Sequence, residues 1–488
     1  MTSSPRLSIS RDEIRAVYAQ GEASVIALVE SLVARINALE DRVDALENQL
    51  KKDSHNSSKP PSSDGFKKKT KSLRQKSDRA SGGQPEHPGR NLEWSDTPTR
   101  AEIHPVLSCQ GCGDSLLNTP VESWDRRQVH DLPPTQLEVT EHQCEVKCCP
   151  KCGILNRGQF PSALKHPIQY GARLEAWIVY LMVVQLLPSL RICQLLKETF
   201  GLSVSEGTLY NIRKRCFDAL ETPEQEIKQA LQNSKVVHFD ETGFRVASQL
   251  WWLHVGCTDR LTFYLVHTKR GKKAMDAMGL LPDFKGNAVH DGWASYSQYT
   301  CQHSLCNAHH LRELIFILEE YKQRWAQEMI DLLVEMNLAV HLAKNTGLTS
   351  LESFQVTRFE QNYGEILERG LKENLALPIP ENAPKQKGRP KQSKAKNLLD
   401  RLKSHSEAVL RFIHNFQVPF DNNQAERDIR MMKLKQKISG SFRSESGAEI
   451  FCRIRGYLST LQKQGHHLFD ALVQLFTGDP VSPIQSAE

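Results

Sequence analysis

The sequence predicts an α+β multidomain protein, and three patterns along its 488 residues carry that expectation. Heptad spacing marks residues 25–50, two C-x-x-C pairs fall between residues 109 and 152, and strand-like segments beginning at Lys235 pass into long helical periodicity. The boundaries read from these patterns are a helical coiled-coil segment (1–54), a basic flexible linker (55–100), a zinc-binding module (101–165) and a helical, helix-turn-helix-like region (166–230). A mixed α/β core follows (231–320), then a helical stretch with a basic loop (321–405) and a C-terminal part bearing an acidic residue on a helix (406–488). With 39% hydrophobic and 25% charged residues, the composition excludes a collagen-like or wholly disordered chain.

In the first segment, Val29, Ile36, Val43 and Leu50 occupy a positions and Val25, Leu32, Leu39 and Leu46 occupy d positions. Mostly β-branched a residues with mostly leucine at d favour a parallel two-stranded coil, and Arg35–Glu40 and Arg42–Glu47 are attractive pairs between identical chains. A homodimer or higher oligomer is therefore expected; an amphipathic helix packed on its own domain is the alternative.

Between Asn56 and Arg90, nine basic residues stand against three acids, a difference equal to the whole formal net charge of +6. Lys67, Lys68 and Lys69 lie in this Ser-, Pro- and Gly-rich stretch, which has too few large apolar residues to fold alone. It reads as an arm for nucleic acid or as a solvated linker. The start, MTSSPRLSISRDE, has no signal-type apolar core, and the apolar run from Ala176 to Leu187 is broken by Gln185 and followed by Pro188. It falls short of the ~20 residues that span a bilayer, so no membrane association and a cytoplasmic location are expected.

Cys109-Gln-Gly-Cys112-Gly and Cys149-Pro-Lys-Cys152-Gly are knuckles in which glycine permits a tight turn, and together they predict a closed structural Cys₄ zinc site. The intervening 36 residues are long for such a site, but loop closure cost grows only logarithmically. Cys144 and Cys148 lie near enough to compete with Cys149. Farther on, SLRICQLLKETF, a GLSV turn and SEGTLYNIRKRCFDAL suggest helix-turn-helix, with Tyr210, Asn211, Arg213 and Lys214 placed to face DNA. Any two packed helices with a glycine turn look similar.

From Lys235 the pattern becomes KVVHFDETGFRV, then a hairpin of QLWWLHVGCT and LTFYLVHTK, and later the strand-like NAVHDGWASY. Asp240 and Asp291 end apolar strand runs, and Gly292 follows the second acid. Glu426 lies on a helix whose face also carries Asn422, Arg430, Lys433 and Lys437. Two strand-end aspartates and a helical glutamate suit two Mg²⁺ ions, or Mn²⁺, for in-line displacement at phosphorus; ordinary surface acids are the alternative. Cys301, His303, Cys306, His309 and His310 form a further cluster of ligand-type residues, read as buried thiols and structural histidines, with a metal site as the alternative.

Taken in order, the heptads, NSSKPPSSD, GGQPEHPG, the double C-x-x-C module, Asp240-Glu-Thr-Gly, Asp291-Gly, Cys306-Asn-Ala-His309 with Arg312, and Asp421-Asn-Asn-Gln-Ala-Glu426-Arg resemble the insertion-sequence-66 type of bacterial DDE transposase over nearly the whole chain. The resemblance implies an RNase H-like core in which Asp240, Asp291 and Glu426 bind Mg²⁺, with the helical stretch between Asp291 and Glu426 as an insertion. It also implies DNA partners, namely terminal inverted repeats and target DNA, accessory proteins of the same element, and residence at the bacterial nucleoid. Arg389, within Lys387-Gly-Arg-Pro-Lys391, reads as a minor-groove hook or as a plain loop. Two rival functions are a zinc-containing DNA-binding regulator without catalysis and a metal-dependent nuclease that cuts without joining.

Overall fold

The computed structural model describes residues 9–53, 55–57, 92–133, 135–161, 163–376 and 392–484. Lys67, Lys68, Lys69 and Arg389 lie outside the described residues. The chain divides into two compact units, one from the described residues of Met1–Leu73, Ile168–Ile192 and Glu206–Glu488, the other from those of Arg74–Pro167 and Cys193–Ser205.

The larger unit begins with α1 (Arg11–Ala19), whose Ser10–Glu13 capping box satisfies backbone donors at its start. Next comes α2 (Glu22–Leu50). The heptad residues Val29, Ile36, Leu39, Val43, Leu46 and Leu50 are all exposed along it. In the smaller unit, strands β1 (Val146–Cys148) and β2 (Leu155–Arg157) form an antiparallel hairpin around the second knuckle.

The apolar run after Gly171 forms α3 (Ala172–Val179) and a π-helical turn (Tyr180–Val184). Helices α4 (Ser189–Phe200) and α5 (Glu206–Ala219) occupy the two segments expected of a helix-turn-helix, and α6 (Glu221–Gln232) follows. The division between units falls within α4, so α5 is described with the larger unit alone, where its Leu209, Ile212 and Cys216 are buried.

Five strands then build the central sheet: β3 (Val236–Val246), β4 (Gln249–Cys257), β5 (Thr262–His267), β6 (Asn287–His290) and β7 (Gln302–Leu305). Their order is β5-β4-β3-β6-β7; β3, β4 and β5 are antiparallel neighbours, whereas β6 runs parallel to β3 and β7 parallel to β6. Helix α7 (Lys272–Met278) lies in the crossover between β5 and β6. Alternation along β3 places Val237 and Phe239 in an apolar cluster with Ile227 and Leu231 of α6, Met275 and Met278 of α7, and Phe284. Gly286 closes this turn, because a Cβ there would lie 2.6 Å from the Lys235 carbonyl oxygen.

After β7 come α8 (Asn307–Tyr321), α9 (Arg324–Asn345), α10 (Ser353–Glu373), α11 (Lys394–Ser404) and α12 (Ser406–His414). They share one core containing Leu314, Trp325, Leu333, Phe359, Leu399 and Phe412, which continues through α12 to Val418. Residues following α2 also dock on α8: Lys51 pairs with Glu320 at 3.0 Å and the Asn56 amide donates to Glu319. The chain then returns to the sheet through α13 (Asn423–Ser439), α14 (Glu445–Lys463) and α15 (Leu468–Thr477). Tyr264 of β5 donates to the Asp428 carbonyl on α13, and the buried Thr460 hydroxyl of α14 accepts from the Thr262 backbone N–H. Thus α13 and α14 cover the sheet face opposite the Phe239 cluster.

Candidate active site

Asp240 lies one residue beyond Phe239 and so projects from the opposite face of β3. It does not end β3, as the sequence suggested: the strand continues to Val246 through its pairing with β4. What ends near Asp240 is the pairing with β6, which stops at His238. Beyond β6, Gly292 takes φ +88 and the chain turns away, while the Asp291 carboxylate accepts from the Trp293 backbone N–H at 2.9 Å. Both aspartates therefore flank the point where the two parallel strands separate, although only Asp291 terminates a strand.

Asn422 fixes the third acid. Its amide donates to the Phe239 carbonyl, its side-chain oxygen meets His238 Nδ1 at 2.8 Å, and its backbone N–H reaches Cys306 Sγ at 3.1 Å. These contacts anchor the start of α13 against β3, and Glu426 follows one turn later. Burial holds the Asp240 carboxyl well above the usual carboxylate range, Glu241 raises it further, and Asp291 and Glu426 add to the effect. The opposing backbone hydrogen bond from Glu241 N is 2.9 Å long.

Glu426 Oε1 is buried without a hydrogen-bond partner among the described residues. It faces His309 Nδ1 at 3.9 Å, likewise buried and unpartnered, and an Arg312 guanidinium nitrogen at 3.7 Å. Burial and Arg312 push the His309 pKa down, while Glu426 and Asp291 pull it upward. Ligand atoms of Cys306, His309 and Glu426 all lie within 4.8 Å of one another. Cys301 is buried, His310 meets Asn307 at 3.0 Å and His303 meets His290 at 3.0 Å, as structural residues would. His309 departs from that reading because the first turn of α8 aims it at Glu426.

Glu241 occupies the opposite face of β3. Tyr296 donates to it at 2.7 Å and Arg270 Nε at 2.9 Å, so both carboxylate oxygens have partners. The Arg270 guanidinium also stacks 4.2 Å from the Trp293 ring and lies 4.0 Å from Asp291. It thereby links the buried acid to the candidate site.

In the smaller unit, both knuckles form. Gly113 and Gly153, at φ +84 and +71, donate to the carbonyls of Cys109 and Cys149, respectively. Backbone hydrogen bonds from Cys112 and Gly111 lower the Cys109 thiol pKa, and those from Cys152 and Lys151 lower that of Cys149. The Cys148 thiol instead contacts the Gly153 carbonyl at 3.4 Å. The four knuckle sulfurs do not gather within 4.8 Å of one another.

The profile of the transposase IS66 family matches residues 167–450, more than half of the chain and a span containing all three acids. The chain belongs to this family. The zinc-finger binding domain of transposase IS66 matches residues 107–153, which include both knuckles, so structural zinc and DNA binding accompany the transposase role. A family of unknown function matches residues 9–93. A comparison with curated proteins finds no match.

Of the cations expected to touch DNA, Arg430, Lys433 and Lys437 of this transposase are exposed on α13, although Lys433 also donates to the Gly243 carbonyl. Tyr210 is exposed and Arg213 half-buried on α5. Sequence alone assigns Arg270 no role, since its one signal there is a cation in the loop after the expected hairpin. His309 was in view, but its approach to Glu426 depends on a fold contact across more than a hundred residues. Among the described residues, no helix is long and apolar enough to cross a membrane.

Proposed function

We propose that this transposase performs metal-dependent cleavage and strand transfer at the terminal inverted repeats of an insertion sequence, using Asp240, Asp291 and Glu426. The electrostatic burden on Asp240 carries the reading: burial forces its pKa upward, Glu241 adds to this and Asp291 and Glu426 contribute, while Glu426 keeps a buried oxygen without a hydrogen-bond partner among the described residues. Hard oxygen donors around a buried carboxylate suit Mg²⁺ or Mn²⁺. The sheet order, with three antiparallel strands followed by two parallel ones, supports an RNase H-like core.

Bound divalent ions would supply charge neutralisation and Lewis acidity at the scissile phosphate. The chain's own residues organise the rest. Asn422 fixes the base of α13, His309 and Arg312 flank the Glu426 carboxylate, and Arg270 restrains Asp291 while neutralising Glu241. Arg430, Lys433 and Lys437 grip nearby phosphates. Water first attacks the phosphodiester at an element end and releases a 3′-hydroxyl; that hydroxyl then attacks target DNA, displacing a 3′-oxygen without a covalent enzyme intermediate.

Cys109, Cys112, Cys149 and Cys152 are the proposed zinc ligands, with the lowered Cys109 and Cys149 thiols favouring thiolate coordination. The exposed apolar seam of α2 supports pairing of two chains through a coiled coil. Incubation of labelled element ends, target DNA and Mg²⁺ with the full chain tests the function. Joined products are expected from the wild type, and alanine at Asp240, Asp291 or Glu426 should abolish them while DNA retention persists. Cut ends without joining would reduce the activity to that of a nuclease, and retention without cutting would overturn catalysis.

A further inference from the structure

A pocket of about 430 Å³ lies among α5, the π-helical turn and the junction between α13 and α14, entirely within the larger unit. Arg213, Lys435 and Arg443 line it against a single acid, Glu206. Among the described residues, none of the three cations forms an ion pair, and Arg213 Nε is buried without a hydrogen-bond partner. Gathering like charges around a cavity with one opposing acid costs energy that a bound anion relieves.

Several features specify that anion. Lys435 lies 3.7 Å from the centre of the Phe442 ring and donates to the Gly440 carbonyl. Burial and the neighbouring Arg213 lower its pKa to about 8, so its charge is held at a cost in this pocket. Ser444 caps α14 beside the pocket, placing the positive end of a 19-residue helix there. Tyr210 adds an exposed aromatic surface. Cations, a helix N-terminus and an aromatic ring match a nucleotide phosphate with its attached base better than a bare anion.

Lys435 follows Glu426 by nine residues, about 14 Å along the helix axis and half a turn around it. The pocket therefore flanks the buried stripe of α13 on the side away from the candidate active site.

We propose that this pocket binds a backbone phosphate and nucleotide from a DNA segment separate from the scissile position. The proposal rests on the DNA-handling role above and revises the expected use of α5: Tyr210 and Arg213 line a nucleotide pocket with the catalytic helix rather than the reading edge of a recognition helix.

The test uses the full chain, a fluorescein-labelled random-sequence 30-base-pair duplex, and anisotropy between 50 and 200 mM salt. Arg213→Gln, Lys435→Gln and Arg443→Gln should each weaken binding several-fold and reduce the slope of log affinity against log salt by about one. Arg213→Lys should retain most of the slope, and Lys372→Gln, on exposed α10 surface, should leave it unchanged. Thermal melting confirms folding of each variant. Unchanged slopes in all three pocket variants would overturn the proposal whether or not the wild type cuts DNA. Tight binding of thymidine monophosphate that duplex DNA fails to displace would also overturn it, assigning the pocket to a free nucleotide. A wild type showing the expected slopes but never cutting element ends would instead overturn the phosphoryl-transfer reading and leave the pocket assignment standing.

Discussion

Asp240→Asn should make the metal-free protein more stable while removing its chemistry. In the folded chain the carboxyl is surrounded by protein, accepts one backbone hydrogen bond, and experiences Glu241, Asp291 and Glu426 as like charges. Its pKa is therefore higher in the folded state than in the unfolded chain. An acid shifted in this direction disfavours folding above its unfolded pKa, and the penalty fades as pH falls through the folded value. Asparagine preserves the shape and the acceptor oxygen but removes the charge. Each pKa unit corresponds to about 1.4 kcal/mol, and relieving an uncompensated buried group is worth about 1–3 kcal/mol. At about 2.1 cal/mol/K of unfolding entropy per residue, a unit the size of the larger one gains about 1–2 °C in Tm per kcal/mol, so the variant should melt about 1–4 °C above the wild type at pH 7 without divalent ions. Adding Mg²⁺ at a hundred times its Kd should stabilise the wild type by about 2.7 kcal/mol and the variant far less, reversing their order. Scanning fluorimetry with and without Mg²⁺ reads both effects. A metal-free variant less stable than the wild type, or one stabilised equally by Mg²⁺, would refute the reasoning.

Four other changes probe different parts of the molecule. Gly286→Ala should destabilise the larger unit by about 1–3 kcal/mol in denaturant melts, because its Cβ meets two backbone carbonyls and Phe284 closer than van der Waals contact. Glu241→Ala strands the buried Tyr296 hydroxyl; a loss of about 1–3 kcal/mol should follow, with Glu241→Gln intermediate by the same melt. Leu39→Lys on the exposed α2 seam should shift sedimentation from dimer to monomer. Cys109→Ser or Cys149→Ser should lower zinc content measured by atomic absorption from about one ion per chain toward zero, with loss of near-UV dichroism from residues 92–167 on chelation. His290 and His310 add a pH dependence: burial lowers each to about 3, so the stability associated with keeping them neutral is present above about 6.5 and declines as pH falls toward 3. Denaturant midpoints across that range should decline, and charge-free replacement of His310 should flatten the decline.

The sequence made strand and helix periodicity, the glycine-assisted knuckles and the three separated acids visible because each depends on local spacing. Gly292 turns immediately after Asp291, and alternation sends Glu241 away from Asp240, as their positions in the strands suggested. Register was less legible. Whether Asp240 ended its strand depended on two different partners, since pairing with β4 continues past it while pairing with β6 does not. Strand β7 is only four residues long and runs almost directly into α8, so it left little periodic signal. Contacts across the chain were less visible still: Asn422 reaches β3 over 183 residues, and His309 meets Glu426 over more than a hundred. The family resemblance identified those segments as related parts, but physical proximity emerged only from the fold.

Localised iron-mediated cleavage of the polypeptide tests the central claim most directly. Fe²⁺ replaces Mg²⁺ at oxygen-rich sites, and with ascorbate and peroxide it generates hydroxyl radicals that cut nearby backbone. After occupation of the knuckles by zinc, the account predicts cuts near Asp240 on β3, Asp291 after β6 and Glu426 on α13, all suppressed together by excess Mg²⁺ and by Asp240→Asn. Cuts confined to one of these segments, or a pattern unchanged by Mg²⁺ and by the substitution, would contradict a shared metal site formed by the three acids.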